Sequence, residues 1–427
     1  MRMKYLPGHD LLQRRFRSVP LPGDLDAITS IDYTHEVPAG EAGLAPDTVE
    51  AVWEDVQSLF RTGAHPLLSI CLRYGGNILL NRSIGYQRGD AGSAEPVVAD
   101  LATPVCLFSA SKAISAMLLH LLAEQGKIHL LDPISYYIPA FAANGKGFIT
   151  IYQLLAHRAG VPGLGEVVEP ELLFQREEAL ARICAAEPLD QMGRTIAYHA
   201  VTGGFIIDEL IRVTTGLTVQ QYMDRYIRKP MGMRYFRFGV TRRDLPRVAE
   251  HRATGLKPGK LIGGTLKNVL GIAIEDAVTL SNSEEFLTAV LPSANIYCTA
   301  EEAGRFYQML LDYGRYGDQQ IMQPLTVHRA IQEAGRAQLD VSLKLPMRYS
   351  AGFMLGGSPV GMYGPGTPYA YGHLGLSNVM CWADPARDIS VAILNTGKPI
   401  VGNHIAALFR LLSGISKRFP PARDMTA

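Results

Sequence analysis

A serine followed three residues later by a lysine, Ser109-Ala110-Ser111-Lys112, opens a stretch in which Ile114, Met117, Leu118, Leu121 and Leu122 recur at helical spacing up to a stop at Gly126. The pattern predicts a helix beginning at Ser109, with Lys112 one turn on and on the same face. A hydroxyl at a helix N-terminus faces free backbone N–H groups and a dipole that favours negative charge. A desolvated lysine beside it loses its proton more easily and can accept one from that hydroxyl. Such a pair would act as a serine nucleophile with a lysine base. Taken alone, Phe108 to Lys112 reads more simply as a capping serine and a solvated lysine. Of the eleven lysines, however, only Lys112 has a serine three residues before it. The rest of the chain decides between the two readings.

The elements that must position this pair fall into a simple order. Residues 1–43 are rich in Pro, Gly and charge and read as an extended arm. A helix is expected over 44–62, with Val49, Val52, Val56, Leu59 and Phe60 as its buried stripe. A hairpin follows, Leu67 to Tyr74 and Asn77 to Tyr86 around Gly75-Gly76. From 128 to 332 the signals are mainly helical. Strands return near 349–355, 369–373, 377–383 and 389–395, and a closing helix is expected from Asn403. The economical architecture is an α/β (α+β) fold. Its sheet is built from 44–127 and 333–427, flanked by helices, with the helical region 128–332 inserted.

Composition narrows the class. With 427 residues, 47% hydrophobic, 19% charged and a net charge of +1, the chain has an ordinary globular balance. It has no basic field for nucleic acid and no run of about 18 apolar residues that a membrane span needs. The basic N-terminus is followed by no apolar core of a signal peptide, so a cytoplasmic location is expected. The five cysteines are scattered, without Cys-x-x-Cys or His-Glu-x-x-His, so neither a disulfide framework nor a metal site is expected, and no cofactor is called for. Cys106, three residues before Ser109, would at most line the site wall. The expected partner is a small-molecule substrate, with room for a homo-oligomer.

Several landmarks in order resemble the serine β-lactamase-like hydrolases: class C β-lactamases, D-Ala-D-Ala peptidases and family VIII carboxylesterases. The resemblance spans about 44–414. Ser109-x-x-Lys112 resembles the family's Ser-x-x-Lys, and Leu154-Leu155-Ala156-His157-Arg158-Ala159-Gly160-Val161 resembles Leu-Leu-x-His-x-Ser-Gly-Leu. Tyr198-His199-Ala200 stands where Tyr-x-Asn belongs, Lys229-Pro230-Met231-Gly232-Met233 is similar to Glu-Pro-Leu-Gly-Met, and His373-Leu374-Gly375 falls in the place of Lys-Thr-Gly. The resemblance implies one β-lactamase-like domain and an acyl-enzyme on Ser109. Lys112 and Tyr198 would be the proton-transfer groups, Tyr198 with a pKa lowered by Lys112, and either could take the first proton. The oxyanion would lie between the backbone N–H groups of Ser109 and Leu376, with Gly375 letting the strand approach the substrate. His373, Leu374 and Gly375 would border the substrate, while His157 reads as structural and His199 as a cleft residue at most.

The departures bear on the substrate. Ala200 replaces the asparagine that holds a substrate amide, and His373-Leu374 replaces Lys-Thr. Losing these polar groups weakens recognition of amides and carboxylates, although His373 could still meet a carboxylate. A short-chain carboxylesterase is therefore expected. An acyltransferase or an amide, β-lactam or D-amino-peptide hydrolase on the same site is the alternative, and a non-catalytic scaffold of the same fold is the second. Specificity would be set by loops at 162–173 and 245–293.

Overall fold

The strands expected at both ends of the chain join in one antiparallel sheet in the computed structural model, which describes residues 16–164 and 170–422. In chain order they are β1 (Thr29–Ile31), β2 (Leu67–Tyr74), β3 (Asn77–Arg88), β4 (Val97–Val98), β5 (Met354–Leu355), β6 (Tyr371–Gly375), β7 (Val379–Asp384) and β8 (Ile389–Asn395). Across the sheet the order is β5-β6-β7-β8-β2-β3-β1, with β4 paired to β3. The two halves meet where β8 lies against β2, Ile389 opposite Tyr74 and Asn395 opposite Leu68. The principal helices are α1 (Thr48–Phe60), α2 (Ser111–Glu124), α3 (Thr202–Thr215), α4 (Ala300–Leu311) and α5 (His404–Arg418).

Period-two alternation sorts the strands' side chains onto two buried faces. Leu68, Ile70, Leu72, Met380, Trp382, Val391 and Ile393 join one core with α1 and α5. Leu67, Cys71, Cys381, Ala383, Ala392 and Leu394 join the other with α4 and α2. Covering helices on both sides explain why β7 and β8 read as nearly unbroken apolar runs in an antiparallel sheet. All five cysteines are buried and free.

Three expectations change in detail. Residues 16–43 are knitted into the body: β1 is a sheet strand, and Phe16–Arg17 pairs with Gly255–Leu256. The remainder of the arm, 1–15, lies outside the described residues. The region 128–332 also contains strands, since Arg237–Phe238 and Ile296–Cys298 form a three-stranded sheet with Val105–Cys106. Finally, α2 begins at Ser111, and Ser109 sits in a preceding 3-10 turn, Phe108–Ala110, with Phe108 at φ 46.

α2 is buried from Ser111 to Leu122, as expected of a helix apolar on all sides. Its few polar side chains each find backbone partners. The Ser111 hydroxyl accepts from the Ile296 N–H at 3.0 Å, Ser115 donates to the Pro292 carbonyl at 2.5 Å, and His120 bonds the Ala351 carbonyl at 2.7 Å. The strand β6 closes on the same turn. A Cβ on Gly375 would lie 2.1 Å from the Leu107 carbonyl oxygen and 3.1 Å from the Val379 Cβ. Glycine is therefore required here by contact between the strand and the turn that carries Ser109. Gly375→Ala is expected to cost about 1–3 kcal/mol of stability by overpacking, read as a lower urea midpoint; an unchanged midpoint would contradict this contact.

Candidate active site

The turn before α2 and the helix itself bring Ser109 and Lys112 together. The Lys112 ammonium nitrogen lies 3.1 Å from Ser109 Oγ and 2.9 Å from the Ser293 carbonyl oxygen. Lys112 is 8% exposed, and burial pulls its pKa from 10.5 down to about 7. At neutral pH a large share of Lys112 is thus uncharged, with a lone pair able to accept the Ser109 proton. Ser109 itself is only partly buried.

Tyr198 completes the group. Its ring centroid is 5.0 Å from Lys112 Nζ, and it is 5% exposed. Burial raises the Tyr198 pKa above the ordinary tyrosine value, and the facing Ser109 side chain offsets this only in part. The lowered pKa implied by the resemblance is therefore not what the structure gives. Tyr198 is a protonated phenol in the resting site, and Lys112 is the better base of the two.

Tyr198 is held by a carboxylate that no sequence pattern announced. Asp340 Oδ1 accepts from the backbone N–H groups of Tyr198 (3.1 Å), Ser342 (2.9 Å) and Leu343 (3.0 Å), while Oδ2 accepts from the Tyr349 hydroxyl at 3.0 Å. Asp340 is wholly buried and 142 residues from Tyr198 in the chain. The Ser293 carbonyl was equally invisible, because a backbone acceptor carries no residue-type signal.

The histidines take structural positions. His157 Nδ1 accepts from the His199 backbone N–H at 3.1 Å, and His199 Nε2 accepts from the Val161 N–H at 3.3 Å, so the two rings clamp the loop 157–161 to the segment carrying Tyr198. With Lys112 and Ser293 they line a cavity of about 30 Å³. His373 is 1% exposed, and its Nδ1 bonds the Leu374 carbonyl at 2.8 Å. Its buried Nε2 has no partner among the described residues. Burial first, and Lys112 second, push its pKa down to about 3, so it is neutral rather than a cation awaiting a carboxylate.

Ala200 and Leu374 pack with Ile196, Tyr198, Met347, Tyr349 and Met354 in one apolar cluster. Leu376 is partly buried against the neighbouring cluster that contains Cys106 and Phe108, in the turn after β6. Cys106 is buried beneath that turn, its sulfur accepting from the Phe108 N–H at 3.4 Å. Of the two loops expected to set specificity, part of 162–173 (165–169) lies outside the described residues. Among the described residues there is no group of three or more His, Cys, Asp or Glu able to hold a metal, and no helix long and apolar enough to cross a membrane.

The family model described as beta-lactamase matches residues 51–413. The chain belongs to the beta-lactamase family. Over 318 residues it is 29% identical to the esterase/beta-lactamase LipL of Mycobacterium tuberculosis, covering 68% of each chain. Among solved structures it is similar to a penicillin-binding protein homolog from Caulobacter crescentus (TM-score 0.74, 24% identity, 88% of this chain and 99% of that one). It is similar in the same degree to a family VIII carboxylesterase (TM-score 0.74, 24% identity, 86% and 97%). These two likenesses establish the beta-lactamase-like fold, with its antiparallel sheet and many helices.

Asp340→Ala is expected to strand three N–H donors and the Tyr349 hydroxyl, lowering stability by about 2–4 kcal/mol. Asp340→Asn, which keeps an acceptor oxygen, should recover most of that loss. Equal unfolding midpoints for Asp340→Ala and the parent would remove Asp340 from its supporting role.

Proposed function

We propose that this member of the beta-lactamase family is a serine carboxylesterase acting on esters with apolar acyl groups. The observation that carries the reading is the contact of buried Lys112 with Ser109 at 3.1 Å. Neutral Lys112 takes the Ser109 hydroxyl proton as Oγ attacks the ester carbonyl carbon, and the carbonyl π electrons move onto the oxygen. That oxyanion is received by the backbone N–H groups of Ser109 and Leu376. When the tetrahedral intermediate collapses, the C–O bond to the alcohol breaks. Tyr198 gives its proton to the leaving alkoxide and is reprotonated by Lys112, which returns to neutral. Water then enters by the reverse course: it loses a proton to Lys112, attacks the acyl carbon, and Ser109 Oγ leaves with a proton from the same pair.

The preference for esters is supported by what borders Ser109. Ala200 and Leu374 supply no hydrogen bond to an amide, and neutral His373 supplies no positive charge to a carboxylate. A buried site that lacks a polar partner loses the discrimination that partner would give.

Purified protein is expected to hydrolyse p-nitrophenyl acetate and butyrate. Ser109→Ala should abolish this, and Tyr198→Phe should lower kcat by about 10²–10⁴, the usual worth of a positioned acid–base group. Full activity in Ser109→Ala would refute the mechanism. Nitrocefin turned over as fast as the esters would refute the substrate assignment.

A further inference from the structure

The apolar cluster around Tyr198 does not end at the site. Val269 packs against it, and Val269 belongs to the helix Lys260–Leu270, none of whose residues is fully buried. Its apolar residues follow helical spacing. Leu266, Val269 and Leu270 are half-buried at the end near the site, whereas Leu261 (85% exposed) and Ile262 lie open at the other. One stripe therefore begins at the cluster that contains Tyr198 and runs out into solvent.

The polar side of this segment, the helix and the residues just before it, is positive. Lys257, Lys260 and Lys267 are all exposed, and no Asp or Glu occurs between Glu250 and Glu275. A second element repeats the pattern. The hairpin Gln338–Asp340/Leu345–Met347 packs Met347 and Leu343 into the same cluster and leaves Leu339, Leu345 and Lys344 exposed. Exposed leucines flanked by lysines are an unsuitable water-facing surface but suit the boundary between acyl chains and anionic headgroups, into which an amphipathic helix settles its apolar side.

We propose that the helix Lys260–Leu270, with the neighbouring hairpin, is a docking surface for an anionic lipid interface beside the mouth of the site. A chain docked this way would draw amphiphilic esters from the interface towards the apolar cluster that holds Tyr198. That consequence rests on the esterase reading, whereas the docking does not. The positive charge selects an anionic surface over a zwitterionic one, and the stripe adds the apolar contact that charge alone would not give.

The test is cosedimentation of the full chain with vesicles of phosphatidylglycerol and phosphatidylcholine, against vesicles of phosphatidylcholine alone. The protein should bind the anionic vesicles about tenfold or more tightly than the neutral ones and lose much of that binding in high salt. Leu261→Ser with Ile262→Ser should weaken binding about tenfold, and Lys257→Glu with Lys260→Glu and Lys267→Glu should remove the anionic preference. Both variants should keep the parent's circular dichroism spectrum, so that a loss of binding reads the surface. Ser109→Ala should bind like the parent, which separates this surface from the catalytic reading. Absence of vesicle binding, or equal binding by both surface variants, would overturn the proposal. So would parent self-association lost in the surface variants without vesicle binding, since the face would then be covered by a second copy.

Discussion

The site depends on one unfavourable act, the removal of the Lys112 ammonium from water. Its polar partners are the Ser109 hydroxyl and the Ser293 carbonyl, and desolvation alone sets its pKa, with no carboxylate to offset it. Holding a lysine at about 7 instead of 10.5 costs the fold about 5 kcal/mol near neutral pH. That is a large fraction of a typical domain's stability. The surrounding architecture offsets it: a helix apolar on every side, tied by Ser111, Ser115 and His120 to the segments at 292–296 and 351, and a strand pressed so closely on the nucleophile turn that Gly375 admits no side chain. The burial that makes Lys112 costly also leaves it able to accept a proton near neutral pH.

Much of this could be read in the residues before any fold was known. Ser109 and Lys112 are neighbours through one continuous turn running from the 3-10 segment into the helix, so spacing suffices to pair them. The strands alternate with period two, and their positions at both ends of the chain lead directly to a sheet closed by β2 and β8. Other features depend on contacts between distant segments and left no local pattern. Asp340 reaches Tyr198 across 142 residues, and the Ser293 carbonyl reaches Lys112 across 181. The state of Tyr198 is a related case. Proximity to a lysine lowers a tyrosine's pKa only if the lysine is charged, and burial raises the tyrosine while discharging the lysine. His373 shows the same limit, since its identity left a carboxylate partner open and its burial makes it neutral.

Apolar substitutions then give the site its character. Ala200 and Leu374 turn positions that would carry hydrogen-bonding groups into parts of one hydrophobic wall, shared with Tyr198, Tyr349 and Met354. The same wall supports Val269 and, through it, a lysine-flanked helix with open leucine and isoleucine side chains. On the proposed esterase reading, chemistry at Ser109 and the physical form of the substrate are linked: a polar, fully hydrated acyl group would gain nothing from this wall, whereas an aliphatic one would bury area at about 25 cal/mol per Å².

The most direct test of the central claim is the pH dependence of Ser109 phosphonylation by a p-nitrophenyl phosphonate, followed by mass and peptide mapping. Because the base must be neutral to accept the hydroxyl proton, labelling should be slow below the Lys112 pKa and rise with pH. The account predicts a midpoint at about pH 7 and a rate strongly reduced in Lys112→Met. A midpoint near the ordinary lysine value of about 10, or labelling of Lys112→Met at the parent rate, would contradict it.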